Sequence, residues 1–238
     1  MKKHSKRYQA STERWGIPTK EHFWAPKTKP GPHAEHRSVP IVVLIRDILK
    51  YADTSREANF LLAENKVLLD GEIVKDKNIP VGLMDVISIP DLDDNYRMLF
   101  DQHGKVRLSP IEEGSESWKL SRIENKTIIN GERCQLNLHD GRNIIVDDQD
   151  KYKTKEVLKI MIPEQKVIDV FEFNEGNMAL ITGGKHIGEL GVIADYEVVK
   201  GPQPNLVHFE NGITTIEKYV FVVGKDKPEI KIPEVGIL

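Results

Sequence analysis

The pair Asp70-Gly71 leaves this chain little choice of local structure. It stands between the apolar runs Val67-Leu68-Leu69 and Ile73-Val74, where a two-residue turn of this type closes a β-hairpin whose strands keep their right-handed twist. The residues before it have a helical period instead. Apolar side chains at positions 41, 44, 45, 48 and 49 share one helical face after Pro40. Proline suits the start of a helix because the N–H it lacks would be orphaned there anyway. Asp53-Thr54-Ser55-Arg56-Glu57 restarts the helix, and Thr54 and Glu57 have the spacing of a capping box. The second helix carries Ala58, Leu61 and Leu62 on one face and ends near Asn65. Met84–Ile89 supplies a further strand. Arg46 and Lys50, four residues apart, project from one side of the first helix.

The segment ahead of this unit has a different composition. Residues 1–40 hold nine Lys/Arg against three Asp/Glu, a net of +6, while the rest of the chain holds 25 against 34, a net of −9. Such asymmetry describes a basic arm on an acidic body. Prolines at 18, 26, 30 and 32 forbid a long helix, and a stretch this polar cannot form a core alone. Lys2, Lys3, Lys6, Arg7, Arg14, Lys20, Lys27, Lys29 and Arg37 are interleaved with Trp15, Phe23, Trp24 and His33. That mixture suits a groove on folded RNA, with cations on phosphates and rings stacked on unpaired bases. His33 and His36 could be read as metal ligands, but no cysteine or carboxylate cluster completes a site. Cys134 is the only cysteine, so no intrachain disulfide forms and a structural zinc site would lack its usual thiolates. No metal and no cofactor are expected.

The length of 238 residues fits two or three small domains at roughly 100–150 residues each. The longest apolar run, Ile41–Ile45, is far too short to span a bilayer, and no apolar segment follows the basic N-terminus as in a secretory signal. A cytoplasmic protein without a membrane partner is the expectation. Residues 93–173 read as mainly β. Tyr96–Phe100 and Val106–Leu108 form a hairpin across His103-Gly104, and Trp118–Ile123, Gln135–Leu138, Asn143–Val146 and Val167–Phe173 are further strands. Asn130-Gly131 and Asp140-Gly141 are turns. No nucleophile stands at a defined spacing from a base, so no catalytic residue is assigned.

Residues 174–224 contain the strand Met178–Ile181 and then a glycine-rich loop that leads into Val192-Ile193. Gly183, Gly184, Gly188 and Gly191 serve turns and close backbone approach. The loop is not a phosphate-binding P-loop, since no Gly-Lys-Ser/Thr follows and its flank is a strand. Lys185 at its tip is placed to touch phosphate. Val198–Val199, Leu206–Phe209, Ile213–Thr215 and Tyr219–Val223 are the remaining strands expected here, and 225–238 is a short tail.

Several of these stretches carry a family pattern. The helix pair, Asn65-Lys66-Val67, Asp70-Gly71, and Gly82 followed by Asp85-Val86-Ile87 resemble the small RNA-binding module first described in ribosomal protein S-four. That resemblance implies that the helix pair faces structured RNA through Arg46, Lys50, Arg56 and Lys66. The 182–191 loop resembles the KOW motif of SH3-like barrels. Phe23-Trp24-Ala25-Pro26-Lys27, Gly31-Pro32-His33, Gly82–Ile89, Thr182-Gly183-Gly184 and Val220–Lys225 follow in the order of the archaeal and eukaryotic e-type small-subunit ribosomal protein S-four family. The resemblance implies an α+β, mainly β, multidomain chain. Its parts are an arm (1–39), an S-four-type module (40–92), a central β domain (93–173), a KOW barrel (174–224) and a tail. It implies no enzyme and no independent homo-oligomer, but a structural constituent of the small subunit that binds its rRNA beside neighbouring ribosomal proteins. Two other readings share parts of the pattern: a KOW-containing transcription or translation factor, and an RNA-modifying enzyme of the pseudouridine synthase type.

Overall fold

In a computed structural model the chain is mostly β with few, short helices, arranged as several sheets. The structure describes residues 4–6 (backbone only), 15–18, 23–112, 114–129, 133–148, 150–225 and 227–232. The expected Asn130-Gly131 turn lies outside them. Two compact units are distinguished, Met1–Leu99 with Lys105–Lys119, and Phe100–Gly104 with Leu120–Leu238. Among the described residues no helix is long and apolar enough to cross a membrane.

In the first unit, β1 (His4–Lys6) pairs antiparallel with β2 (Trp24–Pro26), and β3 (Val39–Pro40) with β6 (Pro80–Val81). The expected first helix is shorter and wider than its period suggests. α1 covers Ile41–Val43 and continues as a π turn over Leu44–Ile48, in which the Leu49 N–H donates to the Leu44 carbonyl at 2.8 Å. The cause lies in the sequence. Ile41 through Ile45 are all fully buried, so the segment is apolar all round rather than amphipathic, and its β-branched residues are weak helix formers. Its first N–H groups donate outward, Ile41 to Ile79 O at 3.1 Å and Val42 to Lys77 O at 3.2 Å. Lys50, in the left-handed region at φ 58°, ends it.

α2 (Ser55–Ala63) starts on the expected capping box. Thr54 Oγ1 accepts from the Glu57 N–H at 3.2 Å and Glu57 Oε2 from the Thr54 N–H at 3.3 Å. Asp70 and Gly71, at φ 51° and 78°, turn β4 (Leu68–Leu69) into β5 (Glu72–Ile73) with Leu69 opposite Glu72. β4 also pairs with β7 (Val86–Ile89), which pairs with β8 (Asp94–Phe100), and β9 (Val106–Pro110) completes a sheet of order β5-β4-β7-β8-β9. The 94–110 hairpin thus extends the sheet begun by the Asp70-Gly71 hairpin.

In the second unit, β10 (Trp118–Ile128, whose first two residues belong to the first unit), β11 (Cys134–Leu138), β12 (Asn143–Val146), β13 (Val157–Met161) and β14 (Val167–Phe171) form a sheet of order β12-β11-β10-β13-β14. Ile123, Cys134, Leu136, Leu138, Tyr152, Leu158 and Ile160 make its core. Strand β13 is one that alternation does not single out, because Val157, Leu158 and Ile160 are all fully buried. β15 (Met178–Ile181), β16 (Leu190–Glu197), β17 (Leu206–Phe209), β18 (Thr214–Ile216) and β19 (Val220–Gly224) form a second sheet of order β18-β17-β16-β15-β19. Val198-Val199 is not a strand. β16 has already ended at Glu197, and Val198 is 65% exposed.

Candidate nucleic-acid interface

The second half of the arm, which cannot form a core alone, is fastened to the first unit. Ala25 and Thr28 are buried, the Lys29 N–H donates to Asn78 O at 2.9 Å, and the Lys29 ammonium pairs with Asp76. Trp15 is half-buried, with Nε1 donating to Ser38 O at 3.2 Å. The firmest attachment is His33. Its Nε2 lies 2.8 Å from Asp85 Oδ2 in the interior, where His33 is 9% and Asp85 2% exposed. His33 therefore packs inside and is not presented to a ligand.

Asp85 belongs to a buried charge cluster. Lys119 Nζ donates to Asp85 Oδ1 at 3.1 Å and to Asp70 Oδ2 at 2.6 Å. The Gly82 N–H donates to Asp85 Oδ2 at 2.8 Å and the Val86 N–H to Asp70 Oδ1 at 3.0 Å. A Cβ on Gly82 would lie 2.3 Å from the His33 ring, so only glycine lets the imidazole reach Asp85. Burial pushes the Asp85 carboxyl up, but the charges of His33 and Lys119, and hydrogen bonds from His33 and Gly82, outweigh it. Asp85 is held far below the usual carboxylate range. Asp70 is raised, by burial and by the charge of Asp85, against the pull of Lys119. The cluster joins the arm, the Asp70-Gly71 turn, the Gly82 turn and the first residues of β10.

With the arm so fixed, two rings stand out from it. Phe23 is 66% and Trp24 56% exposed, packed edge to face with centroids 4.8 Å apart. Isolated exposed rings are common, but an exposed aromatic pair in edge-to-face contact offers π faces to an incoming base. Lys29 brings a second basic element beside the arm, the loop with exposed Lys75 and half-buried Lys77. Neither lysine stands out in the sequence, since the loop is far from the arm in the chain and only the fold joins them.

The other candidates divide by their partners. Lys50 and Arg56 are exposed. Arg46 is 13% exposed at its side chain and held by Asp47 at 2.7 Å. Lys66 pairs with Asp91 at 2.8 Å, and Lys27 with Glu35 at 3.0 Å. Arg37 is half-buried in a short 3-10 turn, Glu35–Arg37. Lys2, Lys3, Arg7, Arg14 and Lys20 lie outside the described residues, and Lys6 is described by its backbone alone.

In the second unit, Lys185 is exposed on the 182–189 loop between β15 and β16. The loop is closed by the Gly188 N–H donating to Ile181 O at 2.7 Å, with Gly184 and Gly188 at φ 84° and 81°. Gly183 and Gly191 serve packing, since a Cβ would meet the Tyr219 ring at 2.5 Å and the Phe209 ring at 2.6 Å. Among the described residues no group of acidic, histidine or cysteine side chains could hold a metal ion.

Comparison with known proteins gives matches along nearly the whole chain. Residues 92–167 match the Ribosomal family S4e, and residues 1–36 the RS4NT domain. The small ribosomal subunit protein eS4 of Methanothermobacter thermautotrophicus is 43% identical over 98% of this chain and 96% of its own. The eS4 of Methanosphaera stadtmanae is 47% identical over 97% and 96%. A crystal structure of the 30S ribosomal protein S4e from Thermoplasma acidophilum superposes with a TM-score of 0.70 at 37% identity, covering 79% of this chain and 96% of that one.

Proposed function

This chain belongs to the S4e family of ribosomal proteins, and from that membership we infer that it is a structural constituent of the small ribosomal subunit that binds and stabilises small-subunit rRNA. The observation that carries the reading is the identity with eS4 proteins of archaea from end to end of the chain. The protein is thus a component of the cytoplasmic ribosome and not an enzyme. The factor and pseudouridine synthase alternatives, which shared single modules with the sequence, find no support in relatives that match all of it. Its partners are rRNA and neighbouring small-subunit proteins.

The finer reading has two RNA-facing surfaces in the first unit. One is the Phe23–Trp24 pair with the arm cations and the adjoining loop of Lys75 and Lys77. The other is the helix pair, through Lys50, Arg56 and Lys66. The helix pair suits the S-four-type module over 40–92, and the aromatic pair belongs to the arm fastened beside it. Lys185 adds a contact from the glycine loop of the 174–224 barrel, and of the central β region 93–173 the first hairpin, 94–110, continues the sheet of the module. His33 is left out of the contacts, and Arg46, held by Asp47, contributes less than an open cation would. Phosphate contacts supply affinity and register, and the rings add stacking on unpaired bases.

Sedimentation of cell lysate tests the function. One copy of the chain per small subunit at low salt, released at high salt, is expected. Its absence from the small subunit at low salt would overturn the reading. The aromatic pair has its own test. Replacing Phe23 and Trp24 by alanine should weaken rRNA binding by about 1–3 kcal/mol per stacked ring. The slope of log K against log salt should stay unchanged, since no charge is lost. Unaltered affinity would remove the pair from the interface.

A further inference from the structure

A pocket of about 180 Å³ opens on the first unit between the helix pair and the end of β7. Ile45, Val67 and Ile89 line it, each buried. Leu61 and Leu92 wall it, and Leu92 is 56% exposed. Three polar residues complete the lining. Tyr51 has its hydroxyl tied up by Asp94 and by the Tyr96 hydroxyl at 2.9 Å, which fixes its ring. Lys66 and Asp91 form an ion pair at 2.8 Å, with side chains 42% and 56% exposed.

We propose that this pocket receives one unpaired nucleobase of the bound RNA. The proposal rests on the rRNA-binding reading above and adds a base-specific site to it. Size comes first. The volume falls below the roughly 300–1,000 Å³ of sites that enclose a drug-sized ligand, which suits an occupant of one ring system. The walls come next. Apolar side chains and an anchored tyrosine ring suit a flat, weakly hydrated π system, which every base presents.

The rim decides between occupants. Lys66 offers a donor and Asp91, beside it, an acceptor. An unpaired base carries donors and acceptors along its edge that complement such a pair, while an aliphatic side chain of a neighbouring protein carries neither. Exposed Lys50 directly precedes Tyr51 in the chain and adds a cation to the same helix pair. The site thus gives the helix pair a means of recognising a bulged or looped nucleotide in addition to the phosphate backbone.

The test uses the full chain and transcribed small-subunit rRNA. Leu61→Trp fills the pocket without altering charge. Leu92→Ala removes an exposed wall and so leaves the fold intact even if the first variant fails to fold. Leu61→Trp should bind about tenfold more weakly, the equivalent of one lost stacked base, and Leu92→Ala a few-fold more weakly. Both should keep the parent's salt slope, because no phosphate contact is removed. Parent-like affinity in Leu92→Ala, together with parent-like affinity in any folded Leu61→Trp, overturns the proposal. So does rRNA affinity that is kept while small-subunit protein binding is lost, which assigns the pocket to a protein side chain. Failure of the parent chain itself to bind rRNA is a separate outcome, and it defeats the underlying reading.

Discussion

Lys119→Met is expected to destabilise the protein by about 3–5 kcal/mol, because it leaves two buried carboxylates without their shared cation. Asp70 and Asp85 are 5% and 2% exposed, and Lys119 itself 1%, so water cannot take over the ammonium's role. The pH dependence gives the mechanism a sign. Asp85 is depressed in the folded state, so its contribution is present at neutral pH, above the unfolded value of about 3.9. That contribution fades as the pH falls toward the lower folded value. Asp70 is raised and works with the opposite sign, so the readout is the gap between parent and variant. With Lys119 gone, ionisation of the two carboxylates is what costs stability, and protonation relieves it. The gap should therefore be widest near neutral pH and narrow once the pH drops below about 4. Chemical denaturation of both proteins across that range measures it. A gap independent of pH would mean that the loss comes from packing of the lysine stem and not from charge.

The second large effect separates binding from folding. Deleting residues 1–14 removes Lys2, Lys3, Lys6, Arg7 and Arg14. Each phosphate those cations neutralise contributes roughly 0.7–0.9 to the slope of log K against log salt. The truncated chain should bind rRNA more weakly, with a slope flatter by up to about 4, while losing only the short β1–β2 pairing and so melting close to the parent. Deleting residues 1–37 should do something different in kind. It also removes His33 from Asp85, Lys29 from Asp76 and all of β2, so the first unit should lose thermal stability as well. Equal salt slopes for the parent and the 1–14 deletion would show that the arm makes no phosphate contacts. Equal melting temperatures for the two deletions would show that the arm is not held as described.

Local chemistry was legible in the sequence wherever the partners are neighbours. The capping box of Thr54 and Glu57 and the Asp70-Gly71 turn are contacts over a few residues, and both stand where their spacing puts them. The family resemblance, carried by separate stretches in a fixed order, was equally plain. Long-range chemistry was not. Lys119 sits in Trp118-Lys119-Leu120-Ser121, which reads as a strand with a solvated lysine, and nothing local says that it reaches Asp70, 49 residues back. His33 reads as an RNA contact of a basic arm, and its burial depends on the missing side chain of Gly82. Strand β13 hid for another reason. It lies between β10 and β14, and its adjacent residues Val157 and Leu158 are both buried, as is Ile160, so it lacks the alternation that marks a half-exposed strand. In the candidate interface, the Phe23–Trp24 pair was visible as composition. Lys75 and Lys77 were not, because their place beside the arm is set by the backbone bond from Lys29 to Asn78.

The shared ammonium also sets an order of events during synthesis. Chains emerge N-terminus first, so the arm, the helix pair and both carboxylates are complete while Lys119 has yet to be made. Until then Asp70 has no cation beside it and Asp85 has only His33, and burying two carboxylates short of their shared ammonium is costly. The basic segment that His33 will fasten accordingly has its anchor last. A growing chain that is +6 over its first 40 residues therefore spends that interval with its most RNA-attractive part tethered but not yet locked in place.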